Sequence, residues 1–155
     1  MQGAGPGPVD LGLVGDVTGF NLPLLGDLFE RRYVPVLACL GCDPDGQVLN
    51  INGDTVASQL AGALRADALV LVTSTPGVLR DLADPASRIG RLTRSEFQAG
   101  LAAGTISGGM IPKLEESFAV LAGGARSVVV VGQLGPGDLR RAVLEPGSVG
   151  TVLEG

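Results

Sequence analysis

Hydrophobic and polar positions alternate in blocks along this chain of 155 residues. Three continuous apolar runs predict strands buried on both faces, namely "YVPVLACL", "DALVLVTS" and "SVVVVGQ". Between and beside them, apolar residues recur every three or four positions, which predicts helices at 21–32, 54–65, 94–104, 107–122 and 137–144. Alternating strands and helices with short connections predict an α/β fold with a mostly parallel sheet covered on both faces.

Weaker patterns complete the predicted order of elements. "LGLVGDV" is typical of a strand, "QVLNI" of a hairpin partner after the turn Asp43–Gly46, and "GSVGTVLE" of a final edge strand. Asn21 is a candidate N-cap, and Thr93 with Glu96 matches a capping box. Residues 1–9 show no periodicity and predict a flexible start, so residues 10–155 are expected to form a single α/β domain.

The charge balance and the lengths of the apolar runs exclude two classes of partner. A net charge of −5, a pI near 4.6 and the lack of a basic cluster argue against nucleic-acid binding. The apolar runs are far shorter than the roughly 20 residues that a membrane helix needs, and no charged-then-apolar leader opens the chain. We therefore expect a soluble, cytoplasmic protein.

Two cysteines stand at C-x-x-C spacing, Cys39 and Cys42. Zinc would need carboxylates to complete its four ligands, because the sequence has no histidine and no second cysteine pair. A turn signal rather than a helix follows them, unlike in a thioredoxin-type redox pair. We predict one buried strand cysteine and one near a turn, without a metal site.

Three loops carry polar residues, and sheets of this class bind ligands in the loops at the ends of their strands. "NINGD" offers two amides for a carboxylate-bearing ligand and a carboxylate at a helix start; "VTSTPGV" offers hydroxyls and a glycine that lets a nucleotide approach. "SGGMIPK" places glycine amides at a helix N-terminus, where they can bind an anion, with a lysine about one turn further on. The candidates are Asn50, Asn52, Asp54, Thr73, Ser74, Thr75, Gly77, Ser107, Gly108, Gly109 and Lys113. Each candidate also fits an ordinary structural role. The asparagines can form turns, Asp54 can be a favourable charge at a helix start, and the glycines can serve only the backbone conformation.

Four motifs in order resemble those of the N-acetylglutamate kinases of the amino acid kinase superfamily. They are "LGLVGDV", "NINGDTVA", "TPGVL" (an altered "VPGVL") and "SGGMIPKLE", and the resemblance runs from about Asp10 to Leu153. The glycine turn is shared across the superfamily, whereas "NIN-x-DT" with "SGGM-x-PK" is specific to acetylglutamate kinases.

This resemblance implies a three-layer αβα sandwich that transfers the γ-phosphoryl group of ATP, with Mg²⁺, to the side-chain carboxylate of N-acetyl-L-glutamate in arginine biosynthesis. By position, Asn50 and Asn52 would face acetylglutamate, Asp54 would hold the catalytic lysines, and Lys113 would neutralise charge on the transferring group. The resemblance places Thr73, Ser74, Gly77, Ser107, Gly109 and Met110 in the ATP site. No protein side chain is expected to bind the metal, and the full-length family member is expected to be a homo-oligomer.

Lys113 is the only lysine among 11 basic residues. An ammonium is a compact point charge, whereas a guanidinium is a broad planar fork, so a site beside a transferring phosphoryl group favours lysine. Phosphoryl transfer depends mainly on positioning and charge stabilisation, so the absence of histidine is no objection.

Two departures from the family pattern change the expected activity. No counterpart is found before Asp10 for three family motifs: the N-terminal lysine-glycine motif, the triple-glycine phosphate loop and the arginine-bearing substrate segment. We therefore expect this chain alone to be inactive or nearly so. We also expect it to self-associate through exposed apolar surface. Ser74 stands where the family usually has aspartate, which predicts weaker ATP binding. A non-catalytic nucleotide-binding or regulatory module, and an acyl-aminoadipate kinase of lysine synthesis, are the alternatives.

Overall fold

Residues 11–155 are described by the computed structural model, and they fall into two units that divide between Val56 and Ala57. The predicted flexible start, residues 1–9, lies outside the described residues. In chain order the helices are α1 Leu22–Glu30, α2 Gly53–Leu64, α3 Arg94–Ala102, α4 Met110–Ala122 and α5 Asp138–Leu144. The strands are β1 Leu40–Cys42, β2 Val48–Asn50, β3 Leu69–Val72, β4 Arg91–Thr93, β5 Val128–Val131 and β6 Thr151–Glu154. No helix in this part of the chain has the length and apolarity needed to cross a bilayer.

The first unit contains α1 and the antiparallel hairpin of β1 and β2. Asn21 caps α1 as predicted, since its side chain accepts a hydrogen bond from the Leu24 N–H at 3.1 Å. The predicted hairpin is also confirmed, because Leu40 pairs with Asn50 and Cys42 with Val48. The Asp43 carboxylate shapes its turn by accepting hydrogen bonds from the Asp45 and Gln47 N–H groups.

Burial in the first unit differs from the prediction. The run "YVPVLACL" is mostly exposed, with Val34 and Val36 at 87% and 94% exposure, and only Leu40 belongs to a strand. Because Cys39 and Cys42 are free and exposed, the prediction of a buried strand cysteine was wrong. "LGLVGDV" forms a single bridge from Val14 to Asn50 instead of a strand. An apolar run is buried only where a neighbouring element covers it, and the described residues place none over 33–38.

The second unit is built on a four-stranded sheet in the order β3-β5-β6-β4. β3 pairs with β5 and β4 with β6 in parallel, whereas β5 and β6 are antiparallel, so the sheet is mostly parallel as predicted. The prediction that "GSVGTVLE" forms an edge strand was wrong, because β6 pairs on both sides. Strand order depends on which chain segments meet in space, and a local pattern does not encode it.

Helices cover both faces of this sheet and give three layers. Along β5, Val128 and Val130 join a cluster with Leu114 and Phe118 of α4, whereas Val129 and Val131 pack on the other side with Ala142 of α5. All four valines are fully buried, as expected for a strand covered twice. The α/β fold with a sheet covered on both faces, which the alternation of elements predicts, is confirmed.

Helix α3 begins at Arg94 as the sequence predicts, whereas α4 begins at Met110 rather than at Ser107. Thr93 and Glu96 form the predicted capping box at α3: the Glu96 N–H donates to Thr93 Oγ1, and the Thr93 N–H donates to the Glu96 carboxylate at 2.9 Å. That backbone hydrogen bond, with a second one from the Thr93 hydroxyl, lowers the pKa of the Glu96 carboxyl. Phe97 of α3 stacks on Phe118 of α4 with ring centroids 5.5 Å apart, which fixes the two helices together.

Candidate functional site

A tight turn of residues 73–79, here the β3 turn, follows β3 at its carboxyl end. The Thr73 N–H donates to the Val131 carbonyl at 2.7 Å, so the turn starts against the end of β5. The Thr73 hydroxyl donates to the Thr75 carbonyl at 2.9 Å, and the Thr75 hydroxyl donates to the Gly77 carbonyl at 3.0 Å. Both hydroxyls therefore hold the shape of the turn, which is the structural role that the sequence left open.

Gly77 is required by the backbone of the β3 turn. Its φ is +145°, which side-chain-bearing residues rarely adopt, and an added Cβ would lie 2.7 Å from Thr151 Oγ1. Gly77 is buried, and its neighbour Val78 is only 1% exposed. The turn consequently presents backbone rather than side chain at this point.

A small cleft, here the α4 cavity, lies between the β3 turn and the start of α4. It is lined by Gly77, Ser107 and Met110, which the resemblance placed together in the ATP site. The other lining residues are Val78, Leu79, Leu82, Thr105 and Ile106. Two of the three predicted loops therefore meet at one place in the second unit.

The N-terminus of α4 opens without a side-chain cap. Gly109 is the N-cap residue and makes no side-chain cap hydrogen bond, the Ile111 N–H donates to the Gly108 carbonyl at 3.2 Å, and Pro112 has no N–H to donate. The half-buried Lys113 lies in this first turn, one residue before the fully buried Leu114. The first backbone N–H groups of α4 and the sole lysine thus belong to one rigid helix start, which suits an anion.

A larger cavity of about 410 Å³ adjoins the α4 cavity. The two share Leu79, Thr105 and Ile106, and the larger one continues between α3 and the segment before β4. Its walls are mainly apolar, with Arg80 and Glu96 as the charged residues. The volume and lining match those of pockets that hold small organic ligands, typically about 300–1,000 Å³.

Ser74 lies apart from this group. It lines a different cavity of about 410 Å³ with Gly132, Gln133, Asp138 and Arg141, at the carboxyl ends of β3 and β5. Arg141 pairs with Asp138 at 3.3 Å across one turn of α5. The structure thus places Ser74 and Gly77, close in sequence, in two different cavities.

Asn50, Asn52 and Asp54 belong to the first unit. The Asn50 backbone is bonded on both sides of β2, since its N–H donates to the Leu13 carbonyl at 2.8 Å and it pairs with Leu40. Asn52 Oδ1 accepts hydrogen bonds from the N–H groups of Asp54 at 2.9 Å and Thr55 at 3.2 Å, so it caps α2. Asp54 lies in the first turn of α2, where a carboxylate is favourable to the helix dipole.

Sequence reasoning missed Leu79, Thr105 and Ile106, which line both cavities near α4. The signal for Ile106 was an apolar residue directly before the polar loop "SGG", and such a residue also fits an ordinary core position, which Ile106 occupies at 6% exposure. Thr151 was also missed, because its partners lie far away in the sequence. Among residues 11–155, no three His, Cys, Asp or Glu side chains gather as metal ligands.

Comparison with known proteins shows the family to which the chain belongs. The profile of the amino acid kinase family matches residues 2–132. The acetylglutamate kinase of Anaeromyxobacter sp. (strain K) is 83% identical over all of this chain, which covers 57% of that protein. The acetylglutamate kinase of Sorangium cellulosum is 60% identical over 97% of this chain and 53% of its own length. The chain thus spans about half the length of the curated relatives it matches.

Solved structures agree on the fold. The protein smu.665 of Streptococcus mutans UA159 is 33% identical, with a TM-score of 0.71 over 91% of this chain and 51% of its own. N-acetylglutamate synthase from Neisseria gonorrhoeae, complexed with coenzyme A and L-arginine, has a TM-score of 0.81 at 20% identity, over 94% of this chain and 33% of that one, which shows the fold alone. The resemblance to acetylglutamate kinases expected from the motifs is confirmed, and the chain belongs to the amino acid kinase family.

Proposed function

We propose that this chain supplies the ATP-binding and phosphoryl-transfer residues of an acetylglutamate kinase. The observation that carries the proposal is the α4 cavity, where Gly77 from one loop meets Ser107 and Met110 from another, beside the helix start that bears the only lysine. Relatives 83% and 60% identical to the chain bear the name acetylglutamate kinase.

In this proposal the base and the phosphates of ATP occupy adjoining spaces. The adenine enters the larger, mainly apolar cavity against Leu79 and Ile106, where a flat aromatic base can be buried. The phosphates lie over the α4 cavity, because the N–H groups at the start of α4 favour negative charge. Gly109 and Ser107 are exposed at this point, so an anion can approach the backbone.

The proposed reaction forms a bond between the γ-phosphorus of ATP and a side-chain carboxylate oxygen of N-acetyl-L-glutamate. The bond from that phosphorus to the bridging oxygen breaks, and ADP leaves with the electron pair, so an acyl phosphate is formed. A carboxylate nucleophile carries no proton, and therefore no general base is needed. Lys113 would stabilise the charge on the transferring phosphoryl group through its ammonium.

The remaining residues keep the roles that the family resemblance implies. Asn50 and Asn52 would bind acetylglutamate; since Asn52 Oδ1 already caps α2, its Nδ2 would be the donor. Asp54 keeps its implied role in ordering the catalytic lysines. Mg²⁺ would be held mainly by the phosphates of ATP. A cytoplasmic location, a place in arginine biosynthesis and a homo-oligomeric full-length protein belong to the same proposal.

Titration of the chain with Mg·ATP in a calorimeter tests the proposed nucleotide site. Lys113→Ala is expected to lower the affinity about tenfold or more, because a charge-assisted hydrogen bond to phosphate contributes about 1.5–3 kcal/mol. Lys113→Arg should restore only part of the affinity, because the planar guanidinium cannot reproduce a point charge at the same position.

Arg140→Ala is the matched control, since it removes an exposed cation from α5, away from both cavities near α4. It should bind Mg·ATP like the unchanged chain. Equal affinities for Lys113→Ala and Arg140→Ala would contradict the role of Lys113, and no binding by the unchanged chain would contradict the nucleotide site as a whole.

Gly109→Ala separates a ligand requirement from a folding requirement. A Cβ at Gly109 would meet no atom within 4 Å, and its φ of −66° suits any residue, so the stability should change by less than about 1 kcal/mol. The added methyl group would stand where the phosphates approach the start of α4, and the Mg·ATP affinity should fall about tenfold.

The control for this variant is Gly62→Ala in α2, where a Cβ also meets nothing within 4 Å. Urea unfolding measures the stability of both variants, and titration with Mg·ATP measures their affinity for the nucleotide. If Gly109→Ala binds Mg·ATP as tightly as Gly62→Ala does, the phosphates do not lie at the start of α4.

A non-catalytic nucleotide-binding module is the second candidate, and Ser74 favours it. This residue replaces the aspartate expected from the resemblance and lines a cavity away from Gly77. Because the chain alone is expected to be inactive in either case, phosphoryl transfer is assayed with the chain joined to the remaining part of an acetylglutamate kinase relative. Mg·ATP binding that Ser74→Asp tightens, without transfer to acetylglutamate in either form, would support this second function.

A further inference from the structure

We infer that Thr151 is a positioning residue that fixes the β3 turn for the nucleotide. This inference rests on the proposed nucleotide site. Thr151 opens β6 and lies 73 residues from Val78 in the sequence, yet its hydroxyl contacts the turn directly. Neither the motifs nor the family resemblance drew attention to it.

The Thr151 hydroxyl is fully buried and uses both its acceptor and its donor capacity. Oγ1 accepts a hydrogen bond from the Val78 N–H at 2.9 Å and donates one to the Ile89 carbonyl at 2.5 Å. The Ile89 N–H in turn donates to the Val78 carbonyl at 2.8 Å. One hydroxyl therefore joins the β3 turn, the segment before β4 and the first residue of β6.

Close packing makes the position of this hydroxyl decisive for the turn. An added Cβ on Gly77 would lie 2.7 Å from Thr151 Oγ1 and 3.2 Å from the Thr151 nitrogen, so no gap separates the turn from β6. Thr151 is itself held in the sheet by pairing with Val130 of β5. The hydroxyl thus attaches the β3 turn to the sheet and fixes the position of Gly77, which lines the α4 cavity.

The same hydroxyl also helps to fix two residues that line the larger cavity. Leu79 and Ile89 both line that cavity. Leu79 directly follows Val78, whose N–H donates to the Thr151 hydroxyl, and the Ile89 carbonyl accepts the hydrogen bond from that hydroxyl. Loss of the hydroxyl would leave a buried N–H and a partly buried carbonyl without this partner. A buried polar group that lacks a hydrogen bond destabilises the conformation that buries it, so we expect the turn to move or to open.

The test compares Thr151→Val, which keeps the shape and removes both hydrogen bonds, with Thr151→Ser, which keeps the hydroxyl. Amide hydrogen exchange of Val78 is followed in the full chain, beside Val129→Ala as a control that weakens the opposite face of the sheet. Thr151→Val should speed exchange of the Val78 amide at least tenfold beyond any general change seen in Val129→Ala. Thr151→Ser should stay within about threefold of the unchanged chain.

Mg·ATP titration of the same variants tests the link to the nucleotide. The affinity should fall about tenfold in Thr151→Val and recover in Thr151→Ser, whereas Val129→Ala should bind like the unchanged chain. Equal Val78 exchange in Thr151→Val and Val129→Ala overturns the inference, as does faster exchange with unchanged affinity. If the unchanged chain does not bind Mg·ATP, the proposed function fails, and the exchange result still decides whether Thr151 fixes the turn.

Discussion

Gly150→Ala is expected to lower the free energy of unfolding by roughly 2–5 kcal/mol, because the new side chain meets both backbone strain and a steric clash. Gly150 has a φ of +71°, and an added Cβ would overlap the Val130 carbonyl oxygen and lie 2.5 Å from Val131 Cγ1. Both neighbours belong to the buried β5, which cannot give way without disturbing the centre of the sheet. The Arg88 guanidinium also donates to the Gly150 carbonyl, so the turn before β6 is held from a second side.

Gly104→Ala separates the strain from the clash. Gly104 has nearly the same φ, +70°, but a Cβ there would meet nothing within 4 Å. Gly104→Ala should lower the free energy of unfolding only by the cost of the left-handed backbone conformation, roughly 1–2 kcal/mol. Urea unfolding followed by circular dichroism measures both variants; equal losses would mean that β5 accommodates the methyl group and that the clash carries no energy.

Leu114→Ala is expected to destabilise the chain by about 2–5 kcal/mol, since it removes a fully buried side chain from the larger hydrophobic cluster. Leu114 directly follows Lys113, so the cavity left behind would also loosen the helix start that bears the ammonium. Leu139→Ala on α5 is the matched control, because Leu139 is 55% exposed. It should change the stability by less than about 0.5 kcal/mol. Chemical unfolding of the two variants gives the difference, and similar losses would contradict the placement of α4 against the sheet.

The elements that local pattern specifies were predicted well. The capping box of Thr93 and Glu96, the N-cap Asn21 and the four valines of β5 each depend on neighbours within a few residues or on a run of one residue type. Hydrogen bonds between residues three apart form whenever the helix forms, so their signal is independent of the rest of the fold.

The errors arose where the outcome depends on distant segments. Val34 and Val36 lie in an apolar run typical of a buried strand, yet they are exposed because no described element covers them. β6 has the pattern of an edge strand but lies between β5 and β4, because strand order is set by which segments meet in space.

In the candidate site, too, the residues within the motifs were predicted and the contacts between distant segments were not. Gly77, Ser107 and Met110 were placed together through the motifs, and they do line one cavity. Ser74 lines another cavity despite its sequence proximity to Gly77, because the β3 turn changes direction between them. Thr151 could not have been found from the sequence, since nothing in "GSVGTVLE" identifies Val78 and Ile89 as its partners.

The interior position of β6 also constrains the order of events during folding. Among the described residues β4 has β6 as its only strand neighbour, and β6 comes last in the sequence. As the chain leaves the ribosome, β3 and β5 can pair first, while β4 emerges early and has no partner until residues 151–154 arrive. Pairings between such distant segments make folding slow, and the open edge of β5 is meanwhile available for non-native association. Among the described strands, β4 therefore joins the sheet only together with β6 or after it.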